Sequence, residues 1–578
     1  MAAEPSAAEP LPANGQPAAP SQDGGAGDAR GDDGGGPAGP SLLRSGAIMA
    51  LGTVVSRVTG FLRTAILVTA LGTAALGDAY NVANTVPNII YDLLLGGILT
   101  SVVVPLIVQS RDRDRRYGEA YEQRLFTGAV IFLAVLTIIA VLLAPMFISL
   151  YGNGFKSDQR ELAILFARFF LPQIFFYGVG AFAGAILNAR GRFGAPMWAP
   201  VLNNVVVIVI GIVFLLISTG KISPAGITAG QTELLALGTT GGIVLQTVAL
   251  WPALRSAGFR WRPRLDFQHG EIGAIGRMAG WTLVYVIATQ TAFAVITALS
   301  TEAGDRGIRE GITHGVGYTP YFNAYQLFQL PYAIVGVSVI TALLPRMSEH
   351  AAEERRELVR SDFSSGLRLS SVIIIPAAVL MFVLSDEVTT VLFAHGNTSH
   401  ADAHVIADVL RAMAVALVPY SAYQLMLRVF FAYRDTRTPA FIALITVTTN
   451  IALAFAMFAV LPTDKIIVGI ALGVAIANSV GALVSWGVLR WRLGGLDGRR
   501  ILASHVKLGI AMVPALIFAF AIHEIIGTYV GTSFGPAAIS LVIGGCGGAL
   551  CYLVTARLLR VQEAQTLLRT IAGRLPGR

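Results

Sequence analysis

The sequence predicts an all-α polytopic membrane protein with fourteen transmembrane helices. Of its 578 residues, 54% are hydrophobic and only 13% are charged, whereas soluble domains carry about 25% charged residues. Apolar runs of roughly 20 residues, the length that a helix needs to cross the hydrocarbon of a bilayer, recur along the whole chain. A transmembrane barrel would instead show ~10-residue segments of alternating hydrophobicity.

The apolar runs also predict where the fourteen spans lie. We place them near residues 44–70, 79–109, 124–150, 161–187, 197–217, 233–254, 274–299, 319–345, 367–394, 403–431, 439–461, 466–489, 503–527 and 534–557.

Loop charge predicts the orientation of these spans. The connections after even-numbered spans are rich in arginine, as in RDRDRR and RWRLGGLDGRR. The connections after odd-numbered spans hold only Lys156, Arg160, Lys221, Arg306, Arg309 and Lys465. Because positively charged loops stay in the cytoplasm, the even-numbered loops and both termini are predicted to be cytoplasmic. The net charge of +8 therefore reflects topology, and no nucleic-acid partner is predicted.

The two ends of the chain differ from the membrane-spanning part. Residues 1–40 are dominated by Ala, Gly and Pro and lack the apolar core of a signal peptide, so they predict a disordered cytoplasmic tail. Residues 559–578 are basic, with apolar residues at helical spacing. This end is interpreted either as an amphipathic helix on the inner membrane surface or simply as a basic end that enforces topology.

An internal repeat predicts the arrangement of the spans. Four pairs of landmarks recur at a nearly constant offset: Gly152 and Gly396, Arg190 and Arg434, Pro196 and Pro439, and Pro105 and Pro345. Such an offset indicates duplication of a six-helix unit. We predict an N-lobe at 41–262 and a C-lobe at 263–495, related by a pseudo-two-fold axis along the membrane normal. Two further helices follow at 496–558.

Two arginines in the first span, within SRVTGFLR, give the strongest functional signal. A guanidinium near the bilayer centre costs at least ~2.5–3.5 kcal/mol, yet neither Arg57 nor Arg63 has an acid close by in sequence. The two side chains point roughly 120° apart on a straight helix, and Gly60 permits a bend. Each arginine either pairs with a buried acid, Asp78 or Asp92, or lines a substrate path, where its planar donors suit a phosphate or carboxylate.

Amide side chains accompany these arginines. Asn81, Asn84 and Asn88 fall on one face of the second span, and the corresponding eighth span carries Asn323 and Gln326 before a proline. These amides are interpreted either as hydrogen-bonding partners for sugar or peptide, or as polar contacts between helices.

Other chemistries find less support. The outer-loop segment HGNTSHADAH contains His400 and His404 at a spacing that metal ligands use, with His395 and Asp402 nearby. Histidines in a short exposed loop are more often incidental, so no metal site is predicted. The chain has neither a Walker A loop nor a G-x-S-x-G elbow. We therefore predict a transporter rather than an enzyme, with no cofactor and with a coupling ion that the sequence does not identify.

Several of these motifs occur together in one known family. SRVTGFLR at 56–63, DAY at 78–80, VPN at 86–88 and FFAYRDTRTP at 430–439 resemble the MurJ/MviN lipid II flippase family of the MOP exporter superfamily. The similarity covers about residues 42–560.

The resemblance implies a function and a site. Its members move the undecaprenyl-pyrophosphate-linked disaccharide-pentapeptide, lipid II, outward across the bacterial plasma membrane by alternating access. A cationic cavity holds the pyrophosphate and sugars, and the last two helices form a groove for the lipid tail. The implied substrate-binding residues are Arg57, Arg63, Asp78, Asn84, Asn88, Tyr91, Asp92, Asn323 and Gln326. Membrane lipids and cell-wall synthesis proteins are the implied partners.

The sequence also departs from the family pattern. The best-known branch has an arginine pair where this chain has Tyr91 and Asp92, and an Asp-Arg pair where it has Tyr325 and Gln326. The acid that this branch usually carries before the second-span glycine is replaced here by Gly96. Either the substrate has a modified head group, or the two arginines of the first span bind the pyrophosphate with help from tyrosine and amide groups.

Two alternative functions remain from the sequence. One is export of another polyprenyl-linked glycan or of a drug by the same fold, although a drug antiporter would use buried acids where this chain has arginines. The other is a non-transporting scaffold for cell-wall synthesis, which would have no need of intramembrane arginines.

Overall fold

The computed structural model describes residues 40–93, 115–190, 192, 194–218, 222–266, 271–312, 314 and 316–565. From Ile48 onward the chain forms one compact unit, and the stretch before it, to Ala47, clusters separately. The described residues contain helices and loops but no β-strand. The predicted all-α class is therefore confirmed for this part of the chain.

The first half of the chain contributes nine helices within the described residues. They are α1 (Pro40–Leu71), α2 (Ala75–Leu93), α3 (Arg115–Leu142), α4 (Ala144–Tyr151), α5 (Ser157–Phe170), α6 (Gln173–Ala189), α7 (Gly194–Ile217), α8 (Ala229–Val248) and α9 (Trp251–Ser256).

The second half contributes eleven α-helices, with a π-helical turn at Tyr332–Gly336 and a 3-10 turn at Thr463–Lys465. The α-helices are α10 (Glu271–Arg309), α11 (Tyr318–Pro331), α12 (Val337–Ala352), α13 (Arg356–Val383), α14 (Ser385–Phe393), α15 (His400–Ala414), α16 (Leu417–Ala432), α17 (Arg437–Val460), α18 (Ile466–Leu493), α19 (Gly498–Tyr529) and α20 (Phe534–Leu558).

The described helices are those of a multi-pass membrane protein. Ten are long and apolar enough to cross a membrane, and an eleventh is present if α15 and α16, which meet at 51°, form one bent span. Large apolar side chains remain exposed on the outside of the helical unit, including Leu142, Leu216, Val460 and Leu483. In a membrane this surface contacts lipid. The predicted second span continues beyond Leu93 into residues that the structure does not describe, and the count of fourteen remains a prediction.

Helix packing follows the distribution of small and aromatic side chains. In the first half, Tyr80 on α2 packs edge-on against Phe166 and Phe170 of α5, at centroid distances of 5.7 and 5.2 Å. Phe166 and Phe170 stack in parallel at 5.6 Å. Such aromatic contacts contribute about 0.5–1.5 kcal/mol each beyond area burial. They hold the amide-bearing helix α2 in a fixed position.

The last two helices pack against each other and against α13 and α14. Gly548 on α20 makes this approach possible, because a Cβ atom there would lie 2.9 Å from Leu380 of α13. Small residues at helix contacts let backbones come close where lipid provides no hydrophobic driving force. A buried polar contact adds to this packing: the Glu387 side chain on α14 accepts hydrogen bonds from His523 at 2.5 Å and Ser540 at 2.9 Å.

Candidate functional site

Helix α1 carries the two predicted arginines on different faces. It continues as one helix through Gly60, which lies against Asn204 of α7. The Asn204 amide donates hydrogen bonds to the Ser56 carbonyl and the Thr59 hydroxyl, both at 3.1 Å. Gly60 thus serves close helix packing. Arg57 is exposed, whereas the side chain of Arg63 is half-buried.

A cavity of about 50 Å³ surrounds Arg63 between the two halves of the chain. It brings together five of the predicted residues from three helices: Arg63, Asn84, Asn88, Asn323 and Gln326. Asn81, Tyr80, Thr239 and Phe322 complete much of its wall. Arg63 is the only charged residue among the described residues that line this cavity.

Several polar atoms in this cavity have no partner among the described residues. Arg63 Nε, Asn84 Oδ1 and Asn323 Nδ2 are buried without a hydrogen bond to any described residue. No described acid forms a salt bridge with Arg63, so pairing with Asp78 is not observed. A buried polar group left unpaired costs about 1–3 kcal/mol, and more when charged. The arrangement therefore favours a polar, anionic ligand that satisfies these groups.

Other polar groups in the wall are held by hydrogen bonds. The Tyr80 and Thr239 hydroxyls lie 2.7 Å apart. Asn81 donates to the Thr319 hydroxyl at 3.1 Å, and Tyr177 donates to Asn88 at 3.4 Å. Sequence reasoning missed Tyr80 and Thr239. Tyr80 had a detectable signal, since it lies one turn before Asn84 on α2, but Thr239 lies in a different helix and had none.

Asp78 does not line the Arg63 cavity. The residue is 4% exposed. Its carboxylate accepts hydrogen bonds from the backbone N–H groups of Tyr318 at 3.2 Å and Thr319 at 2.7 Å. These are the first two residues of α11, where the partial positive charge of a helix N-terminus favours an anion. Asp78 therefore joins the first half of the chain to the second.

A loop of the second half closes over the end of α1. The Asn397 backbone donates to the Thr69 carbonyl at 3.0 Å, and its side chain donates to the Ala70 carbonyl at 2.7 Å. The Thr398 hydroxyl donates to the Val68 carbonyl at 3.0 Å. Gly396 has φ +58°, and a Cβ there would lie 2.7 Å from the Thr69 carbonyl oxygen. Both the positive φ and the close approach to Thr69 therefore require glycine at position 396.

A second contact between the halves lies at the same end of the molecule. The Thr301 hydroxyl on α10 donates to the Tyr151 carbonyl at 3.2 Å. Gly154, in the loop after α4, lies against the backbone of Glu302, where a Cβ would approach within 2.6 Å. Together with Asp78 and the loop at Gly396, these contacts close one end of the interface between the halves. We call this end the closed gate.

The remaining predicted residues are not brought into the cavity. Arg57 is exposed and does not line it. The side chains of Tyr91 and Asp92 lie outside the described part of the structure. The His404 imidazole contacts Asp386 at 2.6 Å, and Asp402 caps α15 through Ser399. The described residues contain no group of three His, Cys, Asp or Glu side chains arranged to hold a metal ion.

Comparison with known proteins identifies related sequences. The model of the family described as "Lipid II flippase MurJ" matches residues 67–540. A probable lipid II flippase MurJ of Rhizobium meliloti is 28% identical over 493 residues, which cover 83% of this chain and 85% of that protein. The corresponding protein of Thermotoga maritima is 25% identical over 539 residues, covering 92% and 99%.

Comparison with solved structures shows the fold. A structure titled "Lipid II flippase MurJ, inward closed conformation" superposes with a TM-score of 0.69 at 18% identity, covering 89% of this chain and 98% of that chain. A multidrug resistance MATE family transporter of the MOP superfamily, in an inward-facing conformation, gives a TM-score of 0.61 at 17% identity and covers 76% and 96%. The helices are therefore arranged as in these two solved structures.

Proposed function

Because this chain belongs to the lipid II flippase MurJ family, we propose that it moves lipid II from the inner to the outer leaflet of the bacterial plasma membrane. Lipid II is a polyprenyl lipid that carries a pyrophosphate, two sugars and a peptide. The protein acts as a transporter and not as an enzyme, so binding and conformational change account for its activity. Transport supplies the precursor for peptidoglycan synthesis on the outer side.

The observation that carries this proposal is the environment of Arg63. Its guanidinium lines a cavity between the halves, with a buried unpartnered Nε and no described acid as counter-charge. The amides of Asn84 and Asn323 face the same space with unpartnered polar atoms. An anionic pyrophosphate with neighbouring sugar hydroxyls supplies acceptors for the arginine and partners for the amides.

The closed gate supports alternating access. On the orientation predicted from loop charge, the loops at residues 150–157, 310–318 and 394–400 face outward, so the gate seals the outer side. Alternating access then requires the arginine cavity to open toward the inner side, on which lipid II is made. Breaking these contacts while forming others at the opposite end carries the head group across, and the lipid tail stays in the bilayer.

We propose that the chain has fourteen spans in two related six-helix lobes, and the helix boundaries support the repeat. Helices α7 (Gly194–Ile217) and α17 (Arg437–Val460) have equal length, with offsets of 437 − 194 = 243 and 460 − 217 = 243. Helices α6 and α16 end at Ala189 and Ala432, which is again an offset of 432 − 189 = 243. The cytoplasmic position of both termini belongs to the same proposal.

The last two helices are proposed to hold the lipid tail. They pack along α13 and α14 through buried small residues. Their outer faces are strongly apolar, with Phe520, Leu550 and Val554 each half or more exposed. A polyprenyl chain can lie along this surface while the head group occupies the cavity.

The other predicted residues take different places in this scheme. Arg57 lies six residues before Arg63, about 9 Å along the helix axis, and its exposure suits a first contact with the head group. Asp78 acts at the closed gate. Tyr91 and Asp92 stay proposed as contacts further along α2.

The test is lipid II exposure in cells in which variants replace the native protein. We expect Arg63→Ala to lower lipid II on the outer face roughly tenfold or more, because a hydrogen bond to a charged group contributes about 1.5–3 kcal/mol. Arg57→Ala should have a smaller effect. Membrane levels of each variant are measured in parallel, so that loss of transport is separated from loss of protein.

Arg490→Ala provides the matched control, since Arg490 is exposed at the end of α18 and away from the cavity. It should leave exposure of lipid II unchanged. Unchanged exposure and growth for Arg63→Ala and the Arg57→Ala/Arg63→Ala double variant would contradict the proposed cavity. That outcome would favour the scaffold function, for which the arginines are dispensable.

A drug exporter is less compatible with the cavity. Cationic drugs need an acidic site, and the described lining residues of the Arg63 cavity include no Asp or Glu. The likeness to a multidrug transporter therefore supports the fold and not a drug substrate.

A further inference from the structure

The second half of the protein encloses a larger cavity than the one around Arg63. It measures about 270 Å³ and lies between α10, α11, α16, α17 and α18. Five tyrosines dominate its wall, so we call it the tyrosine chamber: Tyr285, Tyr321, Tyr325, Tyr420 and Tyr423. This volume is enough for a peptide or sugar fragment and exceeds that of a few water molecules.

Helix α11 separates the tyrosine chamber from the Arg63 cavity. Tyr321, Tyr325 and Phe328 face the chamber with helical spacing, whereas Asn323 and Gln326 face the other cavity. Tyr321 and Tyr325 stack nearly parallel at 6.1 Å, and Tyr325 stacks on Phe328 at the same distance. The chamber therefore has a firm aromatic wall.

Polar groups line the opposite side of the chamber. Gln424, Asn450, Asn478 and Thr446 contribute amides and a hydroxyl. Asn450 Oδ1 is buried and has no hydrogen-bond partner among the described residues. Aromatic faces combined with amides suit a ligand that has both apolar surface and peptide-like hydrogen-bonding groups.

A half-buried arginine lies near this chamber. Arg428 lies one turn after Gln424 on α16, on the same face of the helix. Its guanidinium hydrogen-bonds with the Tyr332 hydroxyl and interacts electrostatically with Tyr285. Tyr285 lines the chamber, and Tyr332 packs edge-on against Tyr420 at 5.1 Å. These two tyrosines connect the guanidinium to the chamber wall.

Arg428 has no counter-charge in the described structure. No described acid forms a salt bridge with it, and its Nε is buried without a hydrogen bond. Its other contact is with the ring of Phe431, whose centroid lies 5.7 Å from the guanidinium carbon. Burying the Nε of a guanidinium without a hydrogen-bond partner is costly, and an arginine that merely reached for the membrane surface would keep its Nε solvated. Both facts favour an anionic ligand.

The chemistry of the site suits a carboxylate rather than a pyrophosphate. One guanidinium and two phenol hydroxyls provide donors for a singly charged, planar group. A doubly charged pyrophosphate would need additional cations, and none of the described lining residues supplies one. The stem peptide of lipid II carries carboxylates, and its backbone amides match the polar side of the chamber.

We propose that Arg428, with Tyr285 and Tyr332, binds a carboxylate of the substrate's peptide, while the Arg63 cavity binds the pyrophosphate. This inference rests on the proposed function for the identity of the substrate. The reach is sufficient: a helix with its side chains is about 10–12 Å across, and five extended residues span roughly 17 Å. A stem peptide of this length can therefore extend from one cavity to the other.

The test is calorimetric binding to the purified full-length protein in lipid nanodiscs. The probes are the pentapeptide as free acid, the same peptide with all carboxylates converted to carboxamides, and acetate alone. We expect the native protein to bind the free acid at least tenfold more tightly than the carboxamide. Arg428→Gln should abolish this difference, and Tyr285→Phe should reduce it while preserving the packing.

Controls separate this site from the Arg63 cavity. Arg63→Gln should weaken binding of inorganic pyrophosphate and leave the peptide preference intact, whereas Arg490→Gln should change neither. Equal binding of acid and carboxamide by the native protein overturns the proposal without requiring any variant. Acetate binding as tightly as the peptide also overturns it, because the ligand would then be a free small anion. Loss of lipid II exposure in Arg63→Ala without any peptide preference leaves the proposed function standing.

Discussion

The Asp78 carboxylate accepts a 2.7 Å hydrogen bond from the backbone N–H of Thr319, although the two residues are 241 positions apart. This bond ties the start of α2 to the first turn of α11 at the closed gate. It belongs to the closed arrangement, since it joins the two halves of the transporter. Its strength therefore contributes to the balance between gate-closed and gate-open states.

We predict that Asp78→Ala favours an open gate. A hydrogen bond to a charged group contributes about 1.5–3 kcal/mol, so loss of both bonds should raise the open population roughly tenfold or more. Spin labels at the exposed positions Ser157 and Ala401, on a background in which Cys546 and Cys551 are replaced by serine, report the gate distance by pulsed electron resonance. Asp78→Asn, which keeps one acceptor oxygen, should give an intermediate distribution. Identical distributions in all three proteins would refute a gating role.

Gly396→Ala tests the contact between the loop and α1. The substitution introduces a side chain at φ +58° and places it 2.7 Å from the Thr69 carbonyl. We expect an effect on the gate beyond the roughly 1 kcal/mol that left-handed backbone costs a non-glycine residue. Gly311→Ala is the control, because Gly311 has φ +75° with nothing within 4 Å of a Cβ. If both variants shift the label distances equally, backbone strain alone explains the result.

The ion pair between Arg190 and Glu122 should dominate the stability of the first half. Arg190 Nη2 lies 2.5 Å from Glu122 Oε2, and their side chains are 10% and 0% exposed. Breaking a buried pair by removing one partner costs about 3–5 kcal/mol. We expect Glu122→Gln and Arg190→Gln each to lower the Tm in detergent by several degrees. The double variant should lose less than the sum of the two, and strict additivity would argue against direct coupling.

Asp435 should make stability depend on acid pH. Burial alone would raise its pKa, but hydrogen bonds from Thr438 and the nearby Arg492 guanidinium outweigh burial and hold the pKa below the ordinary value of 3.8. A carboxylate with a lowered pKa stabilises the folded state above its unfolded pKa, and this contribution is lost as pH falls through the folded value. The Tm difference between the native protein and Asp435→Asn should therefore be large at pH 7 and shrink below about pH 4. Asp464→Asn, at an exposed site, is the control; a difference that grows in acid would contradict the sign.

Helical periodicity allowed much of the Arg63 cavity to be predicted. Asn84 and Asn88 share a face of α2 because residues four apart lie on the same side of a helix, and both line the cavity. Asn323 and Gln326 were predicted from the correspondence between the eighth and second spans, where amides precede a proline. Arg63 faces them because α1 continues without a break through Gly60. These contacts depend on local spacing, which a sequence displays directly.

Contacts between distant segments were much less predictable. Nothing in the sequence pairs Asp78 with the first turn of α11, and the notion that Asp78 neutralises an arginine was equally reasonable from spacing alone. Arg428 lies within the predicted tenth span, 403–431, and spacing alone assigned it no role. Its surroundings depend on Tyr285 of α10 and Tyr332 of the π-helical turn, which approach it only in the folded protein.

Helix α11 has a consequence for pharmacology. Its first turn holds Asp78, one face lines the Arg63 cavity and another lines the tyrosine chamber. A ligand that prefers one position of this helix must, by thermodynamic reciprocity, alter affinity at the other sites by the same factor. An inhibitor bound in the tyrosine chamber would therefore slow the transport cycle without competing for Arg63. Raising the substrate concentration would not fully reverse such inhibition.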